Sequence, residues 1–171
     1  MTMTDPETST LETPPPEAPK PTREMERRWG KDVIEPGFTF IPSVLLRGQA
    51  RLRIDAVELA VLVHLIDHWW QSSEMPFPSK RRLAERLMVS EKTIQRAMAR
   101  LETEGLVKRI ARHYPGGGQT SNYYDLSPLV ERLRPIAKDM TEARAEAKAT
   151  VRSAERPGGR RRKVAGGKDK A

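Results

Sequence analysis

The chain contains no cysteine. Disulfides, thiolate-ligated zinc and iron–sulfur clusters are therefore excluded, and cysteine nucleophiles with them. Histidine occurs three times. His64 and His68 stand four apart, a spacing that puts both rings on one helical face and can ligate zinc. No cysteine and no H-E-x-x-H motif accompanies them, so they read as core or half-buried residues and no metal is expected. No apolar run approaches the roughly 20 residues of a bilayer span. The start of the chain is acidic and proline-rich, without the apolar core of a secretory signal. A cytoplasmic protein with no membrane partner is the expectation. No nucleophile–base pair or carboxylate cluster stands out. The Gly116–Gly118 run lacks the Lys-Ser/Thr of a phosphate loop, so neither an enzyme nor a cofactor is expected.

What the chain has is positive charge, with 31 Lys and Arg against 23 Asp and Glu and a net +8 at pH 7. Residues 1–26 carry six acids against Lys20 and Arg23, and residues 152–171 carry eight basic residues against Glu155 and Asp169. The middle keeps 21 basic against 15 acidic residues, so it is basic without help from the tail. That balance favours a polyanionic partner.

The organising stretch is Pro78–Leu106, PSKRRLAERLMVSEKTIQRAMARLETEGL. Ser79 and Ser90 are helix N-cap residues, each followed by apolar positions at helical spacing. Leu83, Ala84 and Leu87 form one inward face; Ile94, Ala97, Met98 and Leu101 form a second. Gly105 stands where a left-handed C-terminal cap is expected. Two amphipathic helices meeting at Met88–Val89 make a helix-turn-helix. The outward face of the second helix holds Glu91, Lys92, Thr93, Gln95, Arg96 and Arg100, the residue types that read base edges in the major groove.

Upstream, GFTFI at Gly37–Ile41 suits a short strand, and Val44–Leu52 a short helix weakened at Gly48 by about 1 kcal/mol relative to Ala. Trp29 and Val33–Ile34 are candidate anchors. Asp55 and Glu58 make a D-x-x-E capping signature that opens a helix over Asp55–Gln71, apolar around more than half its circumference and so central to the core. Met75–Phe77 suits a short edge strand. Downstream, Leu106–Arg112 and Asn122–Leu126 pair as a hairpin with a glycine-rich tip. Strand alternation divides Tyr123 and Tyr124 between surface and core. Ser127–Pro128 opens a further helix, in which Leu129, Leu133, Ile136, Met140, Ala143 and Ala147 follow at spacings of 4, 3, 4, 3 and 4, a heptad-like seam. Pro135 predicts a kink or a break into two helices.

The fold expected is mainly α with a small β-hairpin wing. Residues 1–26 form a disordered acidic, proline-rich tail and residues 33–126 a winged helix-turn-helix domain. Residues 127–151 form a C-terminal helix, and residues 152–171 a disordered basic tail, expected to be a non-specific DNA or RNA tether with a plain solubilising tail as the alternative. The seam at Leu129, Leu133, Ile136 and Met140 is the expected homodimer contact, with packing on its own domain as the alternative.

The segment VSEKTIQRAMARLETEGLVKR resembles the recognition helix and wing start of winged helix-turn-helix regulators of the GntR and MarR sort. The pieces FIPSVLL, HLIDHWW, PFPSKRRLAERLMVS, TIQRAMARLETEGLVKR and NYYDLSPLV, from Phe38 to Leu129, resemble helix-turn-helix proteins among bacterial replication-associated and mobile-element regulators. One departure is Met88, which stands where such motifs commonly carry the turn glycine. The resemblance implies a sequence-specific, nucleoid-associated transcriptional regulator bound to double-stranded DNA as a dimer. A plasmid or mobile-element replication or partition factor is the first alternative and a protein-interaction module the second. By position it implies that Ser90, Lys92, Thr93, Gln95 and Arg96 are the leading base contacts, with Arg100 further along the same DNA-binding face and Glu91 either accepting from cytosine or favouring the helix N-terminus electrostatically. Lys80, Arg81 and Arg82 would hold phosphate, and Lys108, Arg109, Arg112 and His113 on the wing would reach the backbone or the minor groove.

Overall fold

The computed structural model describes residues 21–71, 73–113, 117, 118 and 120–155. The acidic stretch before residue 21 and the basic stretch after residue 155 lie outside them, as do Gly116 and part of the wing tip. In chain order the elements are α1 (Arg23–Trp29), α2 (Lys31–Ile34), α3 (Ser43–Arg47), α4 (Gln49–Leu52), α5 (Ala56–Asp67), α6 (Lys80–Leu87), α7 (Glu91–Thr103), β1 (Lys108–Ile110), β2 (Tyr123–Asp125) and α8 (Ser127–Glu155). The result is the mainly helical architecture with a small hairpin that the hydrophobic pattern predicts.

Helix α5 starts as its sequence dictates. The Asp55 carboxylate accepts from the Glu58 backbone N–H at 2.8 Å, and the Glu58 carboxylate accepts from the Asp55 N–H at 2.8 Å. This reciprocal box satisfies two donors that a helix start would otherwise leave open. Val61, Leu62 and Leu65 then face inward and meet Leu83 and Ala84 of α6 and Ile94, Ala97, Met98 and Leu101 of α7. Ser79 and Ser90 cap α6 and α7, each accepting a backbone N–H at 3.1 Å, from Arg82 and Thr93 respectively.

Three helices end by the same device. The chain turns left-handed at Arg53, Met88 and Gly105, with φ of 57°, 54° and 64°. The following residue's N–H then reaches back five positions: Ile54 to Gln49, Val89 to Ala84 and Leu106 to Leu101. This closure satisfies the last carbonyls of each helix. Only one of the three uses glycine, so Arg53 and Met88 carry a left-handed penalty of about 1 kcal/mol each.

The wing is shorter than its pattern suggests. Strands β1 and β2 pair antiparallel, with Lys108 opposite Asp125, Arg109 opposite Tyr124 and Ile110 opposite Tyr123. Tyr124 is buried and Tyr123 half-buried, as alternation requires. Met75–Phe77 does not form the expected edge strand; it makes one ladder-like bond, from the Tyr124 N–H to the Pro76 carbonyl at 2.9 Å.

Several other expectations change. Gly37–Ile41 is not a strand, because among the described residues the only sheet is the two-stranded hairpin and the segment docks elsewhere. The Thr39 hydroxyl donates to Asp67 at the end of α5, and Gly37 lies against the edge of the Trp70 ring, whose Cη2 a Cβ there would meet at 3.7 Å. Val44–Leu52 divides at Gly48 into α3 and α4. Helix α5 stops at Asp67, short of Gln71. Of the proposed anchors only Ile34 is buried; Trp29 and Val33 are exposed. Arg23–Glu26, expected in the tail, belong to α1, and Arg152–Glu155 belong to α8. Helix α8 runs unbroken for 29 residues through Pro135. Pro135 and Glu131 are both exposed, so the carbonyl that Pro135 cannot bond faces water.

The seam on α8 also finds a different use. Leu129, Leu133 and Ile136 are buried in the domain's own core, and Met140 packs against it half-buried. Leu129, Leu133 and Ile136 are thus taken up by the chain's own domain, the alternative that their spacing left open. Their seat requires Gly48, where an added Cβ would come within 3.2 Å of the Ile136 Cγ2 and 2.7 Å of the Val44 carbonyl oxygen. Gly48→Ala and Met88→Gly should therefore shift stability in opposite directions. The first is expected to cost about 1–3 kcal/mol by overpacking, although Ala is the better helix former. The second is expected to gain about 1 kcal/mol, because Met88 is 92% exposed and loses no packing. Urea denaturation of both variants measures the two signs.

Candidate nucleic-acid interface

The first turn of α7 projects from the domain because its inward positions are taken by Ile94, Ala97 and Met98. The outward positions then group by helical spacing. Glu91, Lys92, Gln95, Arg96 and Ala99, joined by Lys80 from α6, line one shallow, open depression. The left-handed turn at Met88 brings Lys80 to this face, since it sets the angle at which α6 meets α7. Ala99 was not singled out by its sequence. It is an exposed small residue one turn beyond Gln95 and Arg96, and it leaves the floor of the depression low.

The structure sorts the predicted cations by what holds them. Among the described residues Lys80, Arg82, Lys92 and Arg96 form no ion pair. Arg81 pairs with Glu85 along α6 at 3.5 Å, with both side chains exposed. Arg100 is turned away from the others. Its Nε lies 2.6 Å from a carboxylate oxygen of Glu58, whose side chain is 2% exposed, and its guanidinium also donates to the Arg53 carbonyl at 3.5 Å. That contact supplies the buried Glu58 oxygen that lacks a well-aligned hydrogen bond. Ser90 and Thr93 are engaged in the cap, their hydroxyls 2.8 Å apart.

On the wing, Arg109 pairs with Glu102 of α7 at 2.7 Å, which ties the hairpin to that helix. Arg112 lies over the Phe77 ring at 4.5 Å and the Tyr123 ring at 5.3 Å, and the two rings meet edge-on. The guanidinium is thereby fixed against the domain. Nothing in the residue pattern singles out Phe77 as a partner of Arg112. Lys108 and His113 are exposed. Opposite Lys108, Asp125 accepts the Ser127 backbone N–H at 2.8 Å. That bond, ahead of the Lys108 charge, holds the Asp125 carboxyl below its ordinary value.

His64 and His68 are half-buried on α5. The His68 Nδ1–H donates to the His64 carbonyl at 2.8 Å, which fixes the His68 tautomer. Among the described residues no group of three or more His, Cys, Asp or Glu is placed to hold a metal ion.

The two helices α6 and α7, the α5 helix behind them and the β1–β2 hairpin together form a winged helix-turn-helix fold. Residues 52–107, from the end of α4 to the start of the wing, match the family model described as "Helix-turn-helix domain". No curated protein matches the chain in sequence. Among solved structures, the chain is similar to the N-terminal domain of the DnaD protein from Geobacillus kaustophilus HTA426, with 22% identity, a TM-score of 0.48, and 73% of this chain and 98% of that one covered. It is also similar to a "possible transcriptional regulator" from Methanosarcina mazei Go1, with 14% identity, a TM-score of 0.41, and 63% and 85% covered. The transcriptional regulator PA3341 follows at 21% identity and a TM-score of 0.37, with 64% and 83% covered.

Arg100→Ala should lower stability by about 2 kcal/mol or more, because it leaves a buried carboxyl without its cation, even after discounting for the exposure of Arg100. Arg96→Ala, with no partner to strand, should stay within about 0.5 kcal/mol of the parent; thermal unfolding of the two variants compares them. A pH dependence follows from His64, which burial first and the Arg86 charge second hold below its ordinary 6.5. The unfolded chain takes up this proton more readily than the folded one, so stability should fall as pH drops below about 6.5. His64→Gln should flatten that part of the profile in denaturation measured across pH.

Proposed function

We propose that this protein is a sequence-specific regulator of transcription that binds double-stranded DNA. Helix α7 would enter the major groove by its N-terminal turns, and the β1–β2 wing would lie against the neighbouring backbone or minor groove. The observation that carries this reading is the grouping of Lys80, Lys92, Gln95 and Arg96 on one open face at the start of the second helix, without ion pairs. Gln95 matches the two-bond pattern of adenine, and Arg96 or Lys92 that of guanine. Glu91 accepts from cytosine or complements the positive end of α7.

Local electrostatics support the same reading. Lys80, Arg81 and Arg82 occupy the first turn of α6, with no acid there to balance them. Cations at a helix N-terminus oppose the macrodipole by about 0.3–1 kcal/mol each. A phosphate held at that end reverses the sign, since it is attracted by the side chains and by the free backbone N–H groups together. A homodimer through Leu129, Leu133, Ile136 and Met140 is not part of this proposal, because the first three are buried in the core and Met140 packs half-buried against it.

Selection of bound duplexes from a random pool, followed by gel shifts in modest salt, tests the reading. Arg96→Ala should cost about 1–3 kcal/mol and relax the sequence preference at one position, and Lys80→Ala should weaken all sequences alike. Wild-type affinity and preference in Arg96→Ala and Gln95→Ala would overturn the groove assignment.

A further inference from the structure

Helix α8 begins at the root of the wing and outlasts the domain it packs on. Its apolar face changes character along its length. Up to Met140 the inward residues are large and lie in or against the core; from Thr141 to Glu155 every residue is exposed. That second half projects about 22 Å at 1.5 Å per residue.

The charges change at the same point. The first half makes three ion pairs, Arg134 with Glu131 at 3.1 Å, Arg51 of α4 with Asp139 at 2.7 Å, and Lys138 with Glu142, just past that point, at 3.9 Å, and leaves only Arg132 among its described cations without one. Beyond it Arg144, Lys148 and Arg152 form no ion pair among the described residues. They recur every fourth residue, so they fall within an arc of about 80° and span about 12 Å. Glu142 and Glu146 lie on the roughly opposite side, and Glu155, at the end of the described helix, is the one acid beside the ridge.

We infer that the projecting half of α8 is a second DNA-contacting surface, whose ridge of Arg144, Lys148 and Arg152 lies along phosphates flanking the duplex read by α7. This rests on the reading proposed above. A strand of B-DNA presents a phosphate about every 3.4 Å of axis, so a ridge about 12 Å long meets several. Self-association fits less well. The stripe that continues the core-facing side is Ala143, Ala147, Val151 and Ala154, with too little apolar area to offset the loss of translational and rotational freedom on pairing. The sequence that follows residue 155 is itself basic and extends the same charge.

The test uses the full chain and mixed-sequence duplexes of about 15 and about 45 base pairs, the longer extending beyond the footprint of a single reading helix. The variant is Arg144→Gln, Lys148→Gln, Arg152→Gln, which keeps good helix formers on an exposed face. On the long duplex the plot of log affinity against log salt should become shallower by about 2–3 units, while the short duplex is bound as by the parent. Glu142→Gln with Glu146→Gln should tighten binding to the long duplex, which guards against a trivial loss of structure. An unchanged slope on the long duplex would overturn the inference. So would an equal loss on both duplexes accompanied by a change from dimer to monomer in sedimentation, which would make this half a self-association helix. Arg96→Ala on the short duplex reads the function of α7 separately, so failure there and failure at α8 are told apart.

Discussion

The geometry of the helix-turn-helix hangs on the backbone of one residue. Met88 closes α6 in the left-handed region, where a Cβ is crowded, and its side chain stands in solvent without a packing reward. The strain persists because the elements on either side over-determine it. Leu83 and Ala84 on one side and Ile94, Ala97 and Met98 on the other all bury against α5 only if the chain turns there. That turn also places Lys80 beside Lys92 and Arg96. A residue whose side chain is almost wholly exposed thus aligns both the core and the charged face through its backbone, and the apolar burial on both flanks outweighs a penalty of about 1 kcal/mol.

Around that motif, basic residues of similar appearance have three fates. Some are tied to the body: Arg100 to the buried Glu58, Arg109 to Glu102, Arg112 between two rings. Arg81 joins an exposed pair of little energetic weight. Arg86 pairs with Asp67 at 3.6 Å, and among the described residues Lys80, Arg82, Lys92 and Arg96 form no ion pair. The difference bears on both stability and recognition. A cation bound to a buried carboxyl holds the fold and is costly to remove, whereas an unpaired exposed one contributes little to folding and remains free to neutralise phosphate. The Arg109–Glu102 pair links the two roles, because it fixes the wing's attitude to the helix beside it.

Much of this was legible in the chain. The D-x-x-E signature, the serine caps, the apolar spacing of α6 and α7 and the Gly105 terminator each act over four or five residues, and each formed where the pattern placed it. The readings that changed depended on a distant partner. Gly37–Ile41 has the composition of a strand, but a strand needs an edge to pair with, and Asp67 and Trp70 supplied a different seat. Gly48 reads as a weak helix position; its real constraint is the Ile136 side chain, far along the sequence. The seam from Leu129 to Met140 has a spacing that serves equally for a partner chain and for the chain's own core, and periodicity carries no information about which surface meets it.

The sequence by itself determined the principal helices α5 to α8, their order, and the basic outward face of the second helix of the motif, because capping and helical periodicity are local properties of the chain. Tertiary structure decided which arginines stay free of ion pairs and which are anchored, and that α8 packs on its own domain before projecting beyond it. Those outcomes depend on what lies across space from each side chain. Glu58 is 42 residues from Arg100, and no local pattern records that they meet.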